Sequence, residues 1–127
     1  MPESGDWIGF YAYGDSQAHH TMELNLSFAG SLIAGRGIDD IGMFSISGTH
    51  TGAGCAWTKS YAIHSVKYLG SLEDGKIWGT WSAGCNHGGF LIWPRKNPNV
   101  AAKSEASKLV VVGEREASRE VYHAKPK

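Results

Sequence analysis

From Thr21 to Phe28 the chain alternates strictly. Met22, Leu24, Leu26 and Phe28 are apolar, and Thr21, Glu23, Asn25 and Ser27 are polar. A period of two with one apolar face marks a strand buried on one side. The same period runs more loosely through the neighbouring segments. Trp7 to Tyr13 reads as the first strand and the alternating stretch as the second. The third carries Ile33, Gly35 and Gly37, and the fourth Gly42, Phe44, Ile46 and Gly48. Cys55, Trp57, Lys59 and Tyr61 share a face of the fifth, and His64, Val66 and Tyr68 a face of the sixth. Ile77, Gly79 and Trp81 mark the seventh, and Phe90 and Ile92, ending at Pro94, the eighth. Turn residues divide these segments, most clearly Ala29-Gly30-Ser31, Asp39-Asp40 and the hairpin signal Glu73-Asp74-Gly75.

Eight short strands at steady spacing predict an all-β, eight-stranded antiparallel up-and-down β-barrel. Closure removes exposed sheet edges. It also accounts for Gly9, Gly35, Gly42 and Gly79 sharing faces with bulky residues, as in strands that coil strongly or taper inward. A two-sheet sandwich is the competing architecture. At 127 residues the chain has room for one domain with a real core.

Composition breaks near Pro94. Residues 1–94 hold four basic and eight acidic residues, a net charge of −4, and residues 95–127 hold eight and four, a net of +4. This divides the chain into a barrel at 1–94 and a basic C-terminal extension at 95–127. In the extension Asn99 can cap a short helix, and Leu109 to Val112 reads as a strand or docking segment. The overall balance of zero gives no general argument for a nucleic-acid or membrane partner. The N-terminus has no basic region followed by an apolar run, so the expected location is cytoplasmic, with Cys55 and Cys85 reduced.

In a meander, alternate turns share an end. Tyr13, Asp15, His19, His20, Asp39, Asp40, Tyr61, His64, Cys85, Asn86 and His87 should therefore gather at one polar end. Cys55 falls at the other, too far from Cys85 for a disulfide. Lys59 on an inward face is expensive unless paired. Two readings follow. Lys59 and His64 meet a polar or anionic ligand in a pocket, or Lys59 is bonded to Asp39 or Asp40 and the tyrosine hydroxyls in a structural network. A register shift would instead put Lys59 in water. A metal held by His19, His20, His64, His87 and Cys85 lacks any specific ligand spacing. No cofactor is expected, and the chain is short for a haem.

Gly5-Asp6-Trp7 resembles the G-x-W that opens the first strand of lipocalins, in which a basic residue near the last strand covers the Trp; Arg95 is the counterpart here. A longer stretch is similar to streptavidin and avidin: Ala56-Trp57, then Tyr61 and His64-Ser65, and Lys76-Ile77 with Trp81. The resemblance covers about residues 5–94. It implies a barrel of that kind in which Trp57 and Trp81 wall a ligand pocket and Ser65 bonds the ligand. It also argues against biotin. Gly9 stands where the family has an Asn, Phe44 is nearest to its ureido-binding Tyr, and the last strand lacks its Asp. A polar ligand rejects a site whose partners are missing.

Three functions are consistent with these residues. The first is a binding protein for a small organic molecule, using Tyr13, Trp57, Lys59, Tyr61, His64, Tyr68 and Trp81, with Asp39 and Asp40 in a supporting network. The second is a structural or interaction module with a filled barrel, contacting a partner or a second copy through outward Ile8, Trp78 and Trp93. The third is an enzyme with Lys59 or His64 as base. Catalytic motifs such as G-x-S-x-G, the P-loop and H-E-x-x-H are absent from the sequence.

Overall fold

The fold is known from a computed structural model that describes residues 2–95. The helix expected from Asn99 and the strand or docking segment expected at Leu109 to Val112 fall outside the described residues. Eight strands follow in order: β1 (Gly5–Tyr13), β2 (His20–Ala29), β3 (Leu32–Asp39), β4 (Met43–His50), β5 (Gly54–Ser60), β6 (Ser65–Glu73), β7 (Lys76–Ala83) and β8 (Asn86–Pro94). Each pairs antiparallel with the next, and β1 pairs with β8, so the sheet is a closed barrel in meander order. Among the described residues there is no helix.

The two-residue period decides inside and outside as the sequence implies. Along β2, Met22, Leu24, Leu26 and Phe28 are buried while Thr21, Glu23, Asn25 and Ser27 are exposed. They join Trp7, Tyr11, Ile33, Phe44, Ile46, Trp57, Tyr68, Ile77, Trp81, Phe90 and Ile92 in one core. At the β6–β7 turn, Asp74 (φ 52°) and Gly75 (φ 77°) both take the left-handed conformation that a two-residue hairpin needs.

Two boundaries differ from the sequence reading. Gly42 is not in the fourth strand but in the preceding turn, where its carbonyl accepts from Asp39 N–H (3.1 Å) and its N–H donates to the Asp39 carboxylate. His64 is not in the sixth strand. Its carbonyl accepts from Tyr61 N–H (2.8 Å), so it closes a turn, and its side chain is exposed.

Inward glycines let backbones and large rings approach. Gly88 lies opposite Tyr13 and Trp81, and a Cβ there would run into the Ala12 carbonyl oxygen and come within 2.8 Å of Trp81 Nε1. That carbonyl is the acceptor of the Trp81 indole (3.0 Å). Gly88→Ala is therefore expected to cost about 1–3 kcal/mol, the range for overpacking. Urea unfolding measures it, and unchanged stability would contradict this packing.

Candidate functional site

The turns β1–β2, β3–β4, β5–β6 and β7–β8 lie at one end of the meander, and they bring most of the polar candidates together. Lys59 is the deepest of these. It points inward from β5 and is 1 % exposed. Its Nζ lies 2.6 Å from Asp39 Oδ2, donates to Tyr68 OH at 3.1 Å and faces Met22 Sδ at 3.6 Å. An ammonium has three donors, and here each has a partner. The rings of Phe44, Tyr11, Tyr61 and Tyr68 surround it, with centroids 4.4–5.3 Å away. Lys59 thus fills an aromatic cage of the kind that recognises organic cations.

Asp39 is placed by the turn it closes. Its Oδ1 accepts from Ile41 N–H (2.9 Å) and Gly42 N–H (3.3 Å), while Oδ2 meets Lys59 and accepts from Tyr61 OH. Its side chain is fully buried. Burial pushes the Lys59 ammonium below its usual range, and the Asp39 carboxylate works against that shift. Burial also drives the hydroxyls of Tyr11, Tyr61 and Tyr68 far above the usual phenol range. Asp39 adds to this in each, and the hydrogen bond to Asp40 adds more for Tyr11.

Asp40, next in sequence, sits at the rim and is half-exposed. It accepts from Tyr11 OH at 2.6 Å and meets His20 Nδ1 at 2.6 Å. Burial alone would raise its carboxyl, but the hydrogen bonds from Tyr11 and His20 outweigh burial and hold it below the ordinary value. An ionised carboxylate can only accept, so Nδ1 of His20 carries the proton.

Rings continue the site outward. His20 stacks on Tyr11 (4.9 Å between centroids), and Tyr13 meets His20 (5.6 Å) and Trp81 (5.0 Å) edge to face. Tyr61 stacks on exposed His64 (4.6 Å). Tyr13 is 39 % exposed. Around the same end, Ile41, Met43 and Ile63 are 50, 75 and 92 % exposed.

Of the seven ligand candidates, Trp57, Lys59, Tyr68 and Trp81 are interior, Tyr13 and Tyr61 are at the rim, and His64 is exposed in the β5–β6 turn, stacked on Tyr61. Asp39 and Asp40 have opposite environments, one sealed and one half in water. Sequence reasoning missed Tyr11, Phe44 and Met22 as neighbours of Lys59. A signal for Tyr11 existed: it shares the inward parity of Trp7 and faces His20 across β1–β2. His19 stacks on Phe10 and His20 on Tyr11, so the adjacent histidines serve opposite faces. Among the described residues, no three His, Cys, Asp or Glu side chains are grouped to hold a metal ion. Cys55 and Cys85 are free, one buried and one exposed.

Comparison with protein-family models and with curated protein sequences finds no match for this chain. The architecture itself, a closed eight-stranded antiparallel meander, is consistent with a calycin-like barrel.

Proposed function

We propose that this protein binds a small organic molecule at its aromatic rim, and that the ligand carries a positive charge. One observation carries the reading: Lys59 is already neutralised by Asp39 beneath the rim, whereas the carboxylate of Asp40 is half-exposed at the rim, with the Tyr11 hydroxyl and His20 Nδ1 as its partners. The inward Lys59 that suggested an anionic ligand is thus unavailable to one. His20 and its neighbour Tyr13 offer ring faces and edges near Asp40, Tyr61 adds a half-buried ring at the same end, buried Trp81 backs Tyr13, and Ile41, Met43 and Ile63 offer apolar surface for the rest of the molecule. Rings with a nearby carboxylate favour an organic ammonium, and the −4 charge of residues 1–94 favours its approach. The resemblance to streptavidin-like barrels supports a ligand at this end, without biotin's polar anchors.

The test uses the full-length protein, labelled with ¹⁵N, and two probes of similar shape, phenethylammonium and phenylacetate. Phenethylammonium is expected to shift resonances of Tyr13, His20 and Trp81, and Tyr13→Ala to weaken it about tenfold, the scale of one ring–cation contact. Preference for phenylacetate would overturn the reading.

A second reading, an interaction module, rests on the outer face. There Ile8 is opposite Trp93, and Phe10 and Trp78 are both opposite Leu91, an apolar stripe across β1, β8 and β7 in which Phe10 and Leu91 are already buried and Ile8, Trp78 and Trp93 are half-buried. A partner or second copy on that face would move these resonances in place of those at the rim.

A further inference from the structure

At the opposite end, two buried nitrogens stand without partners. His50 ends β4 and is 8 % exposed, and Trp57 on β5 is 4 % exposed. His50 Nε2 and Trp57 Nε1 are both shut off from solvent, and among the described residues neither has a hydrogen-bond partner. This sets Trp57 apart from its counterparts: the indoles of Trp7, Trp78 and Trp81 donate to Glu3, Glu73 and Ala12 at 2.8–3.0 Å. A buried polar group left unmade is costly and calls for an explanation.

The register places the two on the same surface. Gly48 is opposite Trp57 and His50 is opposite Cys55, so His50 and Trp57 are diagonal neighbours on the inner face. Such neighbours are typically about 7–8 Å apart at the backbone, within reach of aromatic side chains. Their chemistry is complementary. His50 Nδ1 lies 3.2 Å from the Thr51 carbonyl. A carbonyl only accepts, so Nδ1 carries the proton and Nε2 presents a lone pair. The Trp57 indole N–H can only donate. The walls are apolar: Phe28 meets His50 edge-on (5.5 Å), while Tyr68 and Phe90 enclose Trp57 (5.4 and 5.5 Å). Burial raises the Cys55 thiol, which keeps it neutral.

We infer that the interior holds a second binding site, between His50 and Trp57, for a small neutral molecule bearing a hydroxyl or primary amide. Such a group accepts from Trp57 and donates to His50. A charged ligand finds no counter-ion in these walls. The short stretch before β1 is tied down at this end by the Trp7 indole on the Glu3 carbonyl and by Phe28 N–H on Ser4 Oγ (2.9 Å).

The probes are 1-propanol and acetamide, titrated into ¹⁵N-labelled full-length protein. The Trp57 indole and His50 ring signals are expected to shift together and saturate at one dissociation constant, while the Trp81 indole stays fixed. Trp57→Phe keeps a ring but removes the donor, and should weaken the His50 response about tenfold, one buried hydrogen bond's worth. Tyr13→Ala should leave it unchanged, which separates this site from the rim. Absence of a saturable shift in the unmutated protein would overturn the inference. So would a resident water on Trp57 Nε1 that neither probe displaces.

Discussion

Asp39→Asn is expected to cost about 3–5 kcal/mol of folding stability, the range for breaking a buried ion pair from one side. The substitution is chosen to isolate charge. Asparagine keeps an acceptor for the N–H groups of Ile41 and Gly42, so the β3–β4 turn retains its hydrogen bonds. What it loses is the carboxylate 2.6 Å from Lys59 Nζ, and it turns an amide donor toward an ammonium and the Tyr61 hydroxyl. Lys59 cannot reach water, since its side chain is 2 % exposed. It must either keep an uncompensated charge or give up its proton in the fold. Lys59→Met is expected to cost less, about 1–3 kcal/mol, because Asp39 then still accepts from Tyr61 and two backbone amides. Urea unfolding of the two variants gives the order, and a larger loss for Lys59→Met would contradict this description.

Alkaline pH should destabilise the barrel steeply. The hydroxyls of Tyr11, Tyr61 and Tyr68 are raised far above their ordinary value, by burial first and by carboxylates second. An unfolded chain releases these protons near pH 10, while the folded one holds them. The native state then binds more protons, so stability falls as pH rises. With three groups the slope approaches about 4 kcal/mol per pH unit once the unfolded tyrosines are ionised. Lys59 acts the other way, because its folded value is depressed. Between that value and the ordinary lysine range the unfolded chain holds the extra proton, and stability rises with pH. Above that range lysine is neutral in both states, and the tyrosines act alone. Absorbance at 295 nm provides the check. These three of the five tyrosines should ionise only as the barrel unfolds. Reversible ionisation of all five near pH 10 with the fold intact would contradict the burial of the cage.

The barrel was legible because its information is local. One strict alternation at Thr21–Phe28 and a turn signal such as Asp74-Gly75 each reflect a backbone preference that needs no distant partner. Strand ends were less legible, because His64 and Gly42 are held by turn hydrogen bonds that periodicity does not encode. Parity alone placed Lys59, Trp57, Tyr68 and Trp81 inward. Parity could not say what Lys59 would meet. That depends on the register across five strands, which sets Asp39 opposite Met22, Lys59 opposite Val66 and Tyr11 opposite His20. Nor could it divide the labour of Asp39 and Asp40. Adjacent strand residues face opposite ways, yet the turn brings one carboxylate inside and leaves the other at the rim.

A double-mutant cycle on Asp39 and Lys59 reaches the heart of the matter, namely that the polar end is closed from within by a matched pair of charges. Adding Lys59→Met to Asp39→Asn removes the stranded ammonium, and the double variant should be more stable than Asp39→Asn alone. If the two losses simply add, within about 0.5 kcal/mol, the pair is not coupled, and the rim would no longer rest on a sealed floor.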